Sequence, residues 1–360
     1  MKKLSIISLK YSPGLLKEMI ALSKAAQKDN YDVNLVINAK YKWLLKEANL
    51  PELSTIQFNN TLEILKIFKF LTKDKSRKII FYNFHPANIL IRLYKNSKNS
   101  FVYVHEPWME DKHKYGIQRM AMVIILEILQ KFYAIFTSEI IVVPSEHAKE
   151  KALQYGLNHR YSEVEVCPLM LDINKKNVGT KDSFLFIGRL HGAKAFDPVL
   201  NILKNDPSFK LKVLTTSTIP KSVLNDYKEE IKSKRLNIIS KDNLGEEEIQ
   251  LAIITSLAVL KLDTLMTQSG VVALSFALST PVIARNILGF SQDIDHKHDG
   301  YLIEEDNSTS LIEATRWVSR NSNSLSINAR DKYINKFSPE SWNNNWGRLL
   351  NSIDLYNSAN

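Results

Sequence analysis

"LAVLKLDTLMTQSGVVALSFALSTPVIA", residues 257–284, reads as a strand, a loop, a helix and a second strand in succession. Leu257–Leu262 is an apolar run of strand length. The segment from Gly270 is apolar on nearly every side until Ser279-Thr280-Pro281 halts it, and Val282-Ile283-Ala284 opens a β-branched run. A strand followed by a helix and another strand pairs in parallel, with both faces of the sheet covered. The polar start, Thr267-Gln268-Ser269-Gly270, is the informative part. Thr267 or Ser269 can cap the helix, and the first-turn amides of Ser269, Gly270 and Val271 carry the positive end of its dipole. Two readings are open there: an ordinary cap, or an anion site in which Gly270 lets a ligand approach the main chain. A nucleophilic role for Ser269 has no support, because no Gly-x-Ser-x-Gly elbow surrounds it.

Working outward, the same alternation fills the second half: "FLFIGRL", a helix to Lys204, "KLKVLTT", a helix around Val223–Ser233, "LNIIS" and a helix from Glu246. The first half alternates likewise through "LSIISL", a helix at Leu15–Lys28, "DVNLVIN", a helical Leu62–Leu71, "KIIFYN", "SFVYVHE" and "EIIVVPS". Strands spaced by helices imply parallel sheets with right-handed crossovers, so the fold class is α/β with two doubly wound, Rossmann-like domains. The 360 residues suit two cores, since a single core stops growing at roughly 250–300 residues. The expected division is 1–172, 173–335 and a terminal helix over 336–360, with a polar linker at about 172–182. Trp342 and Trp346, four apart, are expected to share one face of that helix and dock it on the first domain.

Composition excludes several classes. Hydrophobic residues at 44% and charged residues at 24% are ordinary for a globular protein and rule against disorder. A single cysteine, Cys167, excludes a disulfide framework and a cysteine zinc site, which suits the cytoplasm. "MKKLSIISLKYS" is too broken for a secretory signal and reads as a first strand. Ile117–Phe136 is greasy but carries Arg119, Glu127 and Lys131, so it is expected to be a buried or membrane-leaning helix and not a span. The net charge of +10 admits nucleic acid, anionic lipid or phosphorylated ligands. No aromatic-basic platform or groove-reading motif supports nucleic acid. Lys66, Lys69 and Lys73 fall at helical spacing opposite Leu62, Leu65 and Phe68, with Lys75, Arg77 and Lys78 following. Either a solvated basic face or a docking face for an anionic membrane fits that pattern.

In doubly wound sheets, ligands gather at the carboxyl ends of the strands. Three such ends stand out besides the 267–271 mouth. After "FLFI" come Gly188 and Arg189, with Lys194 five residues on; two cations leaving a strand suit a diphosphate, one as a fork and one as a point charge. After "SFVYV" come His105, Glu106, Glu110, Asp111 and His113. Their spacing matches no compact metal-ligand pattern, so a polar lip is expected. "NFHPAN" puts His85 at another strand end, and "YSPGLLKE" puts Gly14 just after the first strand as a close-approach point.

Together these segments resemble the GT-B glycosyltransferases, in particular the family-4 retaining enzymes of bacterial surface polysaccharide synthesis. "GRLHGAK" is similar to the family's Gly-Arg-Leu…Lys-Gly segment, whose Arg and Lys hold the nucleotide diphosphate; here they fall on Arg189 and Lys194, with Ala195 in place of the usual Gly. Residues 243–290 resemble the donor-site helix, Pro-Val-Ile-Ala and a Gly-containing loop at Gly289, and "DGYLIEEDN" resembles the strand that follows. "HEP" with His113 is similar to a His-Asp-Pro…His segment in a branch bearing Thr-Gln-Ser-Gly-Val. The sequence departs where the family often carries two glutamates: Met266 and Leu274 stand there, so neither carboxylate is present, and Leu274 cannot accept a hydrogen bond.

The resemblance implies two domains facing a central cleft and transfer from a nucleoside-diphosphate sugar, with retention, to a lipid-linked or oligosaccharide acceptor. It implies His105, Glu106, Arg189 and Lys194 as catalytic residues. Gly14, His85, His113, Gly188, Thr267, Gln268, Ser269, Gly270, Val271 and Gly289 are the implied substrate-binding residues. No cofactor or metal is expected, and the expected place is the cytoplasm, peripherally on the membrane face. A nucleotide-sugar 2-epimerase of the same fold and a non-catalytic nucleotide-sugar binder are the alternatives.

Overall fold

The structure, a computed structural model, describes residues 1–9, 13–41, 54–58, 63, 67, 69, 71, 73–74, 76–82, 88, 99–105, 117, 120–122, 124–125, 128–129, 140–154, 156–157, 164–174, 181–188, 190, 196–264, 268–305 and 307–358. The chain divides into two compact units: Met1–Asp172 with Pro339–Asn360, and Ile173–Ser338.

The first unit is built on a seven-stranded parallel sheet in the order β3-β2-β1-β4-β5-β6-β7. Its strands are β1 (Lys2–Ser8), β2 (Tyr31–Asn38), β3 (Ser54–Phe58), β4 (Lys78–Phe81), β5 (Ser100–Tyr103), β6 (Ile140–Val143) and β7 (Val164–Val166). β1 is central and buried from Leu4 onward, pairing Leu4 with both Val33 and Lys78. Burial on both faces is why these strands read as apolar runs. The edge strands β3 and β7 were not legible: "STIQF" and "VEV" are short and carry no such run. Helix α1 (Pro13–Lys28) covers one face, burying Leu16, Met19, Leu22, Ala25 and Ala26. Helix α2 (Glu146–Gln154) follows β6.

The tail reaches the same core in two pieces, a 3-10 turn at Pro339–Asn344 and an α-helix from Trp346 to Ser358. Trp342 and Trp346 share the core with β1, α1 and β2, although the helix that would relate them is broken between them. The Trp342 indole N–H donates to Asp29 Oδ2 at 3.1 Å, and the Trp346 ring lies 5.7 Å from that of Tyr103.

Of the two readings of the greasy segment, the buried one is corrected: its described residues are helical, but Ile117, Met122, Ile125 and Ile128 are exposed. Arg77 and Lys78 do not belong to a basic surface: both are buried, Arg77 donating to Leu4 O and Asp32 Oδ2, and Lys78 donating to Leu350 O. Lys69 and Lys73 are exposed, while Ile67 and Leu71 face inward. No helix among the described residues is long and apolar enough to cross a membrane.

The second unit carries a six-stranded parallel sheet in the order β10-β9-β8-β11-β12-β13. These strands are β8 (Ser183–Ile187), β9 (Leu211–Thr215), β10 (Leu236–Ser240), β11 (Ser256–Lys261), β12 (Val282–Arg285) and β13 (Gly300–Ile303). Helices α3 (Phe196–Asn205), α4 (Lys221–Asp226), α5 (Lys228–Lys232), α6 (Glu246–Ile254), α7 (Gly270–Ala277), α8 (Leu288–Ser291), α9 (Ser308–Arg320) and α10 (Ser322–Lys332) connect and cover them. The helix expected around Val223–Ser233 is two short ones, split at Tyr227. That residue leaves helical geometry (φ −119°, ψ 23°) and its ring is buried, with the hydroxyl reaching Asn201. Helix α7 is apolar because most of it is covered: Val272, Ala273, Phe276 and Ala277 are buried among α6, α10, β12 and the π-turn Tyr333–Phe337.

Candidate functional site

In the second unit, β8 and β11 are neighbours in register, with Phe186 opposite Leu260. The chain therefore leaves the sheet at Gly188 and just past Lys261 from the ends of two adjacent strands. Gly188 has φ 123°, a conformation only glycine adopts readily, and its amide donates to Leu214 O at 3.0 Å. The next residues, Arg189 and Lys194, lie outside the described residues. So do Thr267 and Met266.

Ser269 is the N-cap of α7: its backbone is extended, its Oγ accepts from Val272 N at 3.4 Å, and its carbonyl accepts from Val272 N and Ala273 N. Thr267 is not needed as the cap. With Val272 and Ala273 satisfied, the amides of Gly270 and Val271 have no main-chain acceptor among the described residues, as expected of a first helical turn. Gln268 and Ser269 are buried, whereas Gly270 is exposed, and a Cβ placed on it would meet nothing within 4 Å. The protein's own packing thus does not demand a glycine at 270. Leu274 is half-buried on the same helix, with an aliphatic side chain where a carboxylate was looked for.

Two residues missed in the sequence lie at the carboxyl end of β11. Lys261 and Asp263 form an ion pair of 2.6 Å with both side chains largely buried. The signal was visible as charges breaking the apolar run "LAVLKLD". Gly289, expected in a loop, is instead buried inside the short helix α8, which Phe290 pins into the core.

The first unit has a strand end of its own. His105 follows β5 directly, with Nε2 3.3 Å from Oε2 of Glu18 on α1 and its ring packed edge-on to Tyr103 at 5.6 Å. Gly14 lies in the first turn of the same helix, four residues before Glu18, so α1 links two places that the sequence left unrelated. Burial, and next the nearby Glu18 charge, push the Tyr82 and Tyr103 phenols well above their ordinary pKa. Burial likewise pushes the Cys167 thiol up, which leaves it unreactive. Glu106, His113 and His85 lie outside the described residues, as do Glu110 and Asp111.

Elsewhere, Asp295, His298 and Asp299 converge within 4.8 Å. The Lys332 ammonium bridges the two carboxylates, at 2.7 Å from Asp295 and 3.4 Å from Asp299, so the cluster already has its cation. A hollow of about 720 Å³ lies along the edge strand β10, lined by Ile219, Leu224, Ile231 and Asn237 among others, and includes none of the expected site residues.

No protein-family model and no curated protein matches the sequence. Solved structures do. A glycosyltransferase from Rickettsia africae is 15% identical with a TM-score of 0.67, covering 98% of both chains. Anabaena HepE in complex with UDP is 15% identical with a TM-score of 0.68, covering 98% of this chain and 100% of its own. The pneumococcal O-GlcNAc transferase GtfA, in complex with UDP and GlcNAc, is 9% identical with a TM-score of 0.69, covering 98% and 99%. The fold is GT-B. At these identities the likeness is one of architecture, and the chemistry rests on this chain's own residues.

Proposed function

We propose that the protein is a glycosyltransferase that moves a sugar, with retention, from a nucleoside-diphosphate sugar to a lipid-linked or oligosaccharide acceptor in surface polysaccharide synthesis. The observation that carries this reading is the mouth of α7. Two first-turn amides point out of a capped helix beside a glycine with open space above it, at the end of a strand adjoining the one that leads to Arg189 and Lys194. Helix N-termini bind phosphates through such amides and the helix dipole. In this reading the amides of Ser269, Gly270 and Val271 with Arg189 and Lys194 hold the diphosphate. Their fixed positive charge stabilises the departing nucleoside diphosphate without a metal or other cofactor. Gly188, Thr267, Gln268 and Gly289 complete the donor side; His105, with Glu106, meets the donor sugar or acceptor, and Gly14, His85 and His113 line the same side. HepE and GtfA, of the same fold, hold UDP in their structures.

A panel of nucleoside-diphosphate sugars tested for thermal stabilisation checks the donor. A ligand at 100 times its dissociation constant adds about 2.7 kcal/mol, and no response to any of them would remove the reading. Arg189→Ala or Lys194→Ala is expected to lower turnover about 100-fold, equivalent to about 3 kcal/mol. Exposed Lys69 and Lys73, with Lys66 and Lys75, are proposed to hold the protein on an anionic cytoplasmic membrane face. Flotation with vesicles of acidic phospholipid at low salt tests that, and an absence of binding there refutes it.

A further inference from the structure

Glu18 sits where a doubly wound unit ordinarily places an apolar residue, on the sheet-facing side of α1, and its side chain is only 4% exposed. A buried carboxylate is costly unless it is hydrogen-bonded, and a leucine there would complete the helix-sheet packing without that cost. The surroundings are built around the charge. Tyr103 Oη donates to Glu18 Oε1 at 3.1 Å, and the Tyr82 ring, 4.8 Å from that of Tyr103, brings a second phenol close to the carboxylate. The other oxygen, Oε2, faces His105 Nε2 at 3.3 Å, and that imidazole is itself 29% exposed at the carboxyl end of β5. A buried, doubly supported acid thus underlies a partly exposed histidine at the strand end where ligands of this fold gather.

We propose that Glu18 is the positioning residue of His105: its carboxylate accepts a hydrogen bond from Nε2–H, Tyr103 holds the carboxylate, and the imidazole is thereby locked in one tautomer and one orientation. A hydrogen bond at one ring nitrogen decides which nitrogen carries the proton, and an adjacent carboxylate makes the ring more basic. The inference deepens the proposed function, resting on His105 as the residue that meets donor sugar or acceptor.

The test is a long-range proton–nitrogen spectrum of protein labelled with ¹⁵N in its eight histidines, with the His105 signals assigned by their loss in His105→Asn. In the wild type, His105 is expected as the Nε2–H tautomer. Glu18→Gln keeps an acceptor but loses the charge, so the tautomer is expected to persist while the His105 nitrogen and proton shifts move with the weaker hydrogen bond. In Glu18→Leu the tautomer preference is expected to disappear, and turnover to fall about 10-fold with donor KM little changed, partly rescued by Gln. An Nδ1–H tautomer in the wild type, or identical His105 signals in wild type and Glu18→Gln, overturns the proposal. Both readings need only a folded Gln variant, should the leucine variant fail to fold. Full turnover in His105→Ala would instead strike at the role of His105 in catalysis, and the nitrogen spectrum judges the pairing independently of it.

Discussion

At the start of β13 a Cβ on Gly300 would lie 2.5 Å from the carbonyl oxygen of Val282 and 2.7 Å from Ile294 Cγ2, whereas at the start of α7 a Cβ on Gly270 would meet nothing. Both glycines open an element of the same sheet system, but at opposite ends of its parallel strands. At the amino end the chain closes on itself: Gly300 abuts β12, Asp299 is fully buried and accepts from Asp295 N, and Lys332 ties the two acids together. At the carboxyl end the capped helix leaves space, and two of its amides have no main-chain acceptor among the described residues. Where packing requires a glycine, the residue serves stability; where packing does not, its small size is open to another use. The contrast separates the part of the unit that holds the fold from the part that is available for a ligand.

The contrast can be broken most forcefully at the packed end. Gly300→Ala is expected to cost about 3 kcal/mol of unfolding free energy, because the obstacle is backbone and cannot rotate away. A urea midpoint equal to wild type would show that end to be less tight than drawn. Gly270→Val is expected to do the reverse: stability within about 0.5 kcal/mol of wild type, but nucleotide affinity reduced about 10-fold, or about 1.4 kcal/mol, by calorimetry. Sharpening comes from two caps. Ser269→Ala and Asn307→Ala, the latter removing the Oδ1 that accepts from Ser310 N at the start of α9, should each cost about 1 kcal/mol of stability. Only the Ser269 change is expected to alter nucleotide binding as well.

A pH dependence is expected as well. Half-buried Lys181 donates to Ser279 O, Thr280 Oγ1 and Ser326 Oγ, and burial brings its pKa down from 10.5 to about 8. Between about 8 and 10.5 the unfolded chain holds more protons than the folded one at this site, so its contribution to stability rises with pH across that window. At neutral pH the destabilising charge is fully present. Solvent screening moderates the effect. Lys181→Met should flatten the rise, seen as a smaller gain in urea midpoint between pH 7.5 and 9.5.

What could be read from the sequence alone was local. Apolar runs of strand length separated by helical periods dictated parallel sheets covered on both faces, and Pro281 with the Ser-Gly start bounded α7 within a few residues. Ser269 was legible as one of two possible caps because capping involves only residues three or four apart. Everything decided by distant partners was hidden. Edge strands β3 and β7 are too short and too mixed in composition to carry the apolar signature, and their pairing with β2 and β6 reveals them. Arg77 and Lys78 read as surface charge until Asp32, Leu4 and Leu350 supplied their partners, and Tyr227 read as mid-helix until its ring turned inward. Glu18 and His105 stand 87 positions apart and meet only because α1 packs on the sheet that carries β5. Periodicity and capping are properties of a short window of chain, but whether a charge is buried, and against what, is settled by tertiary contact, since only a partner brought from far along the chain can offset its desolvation.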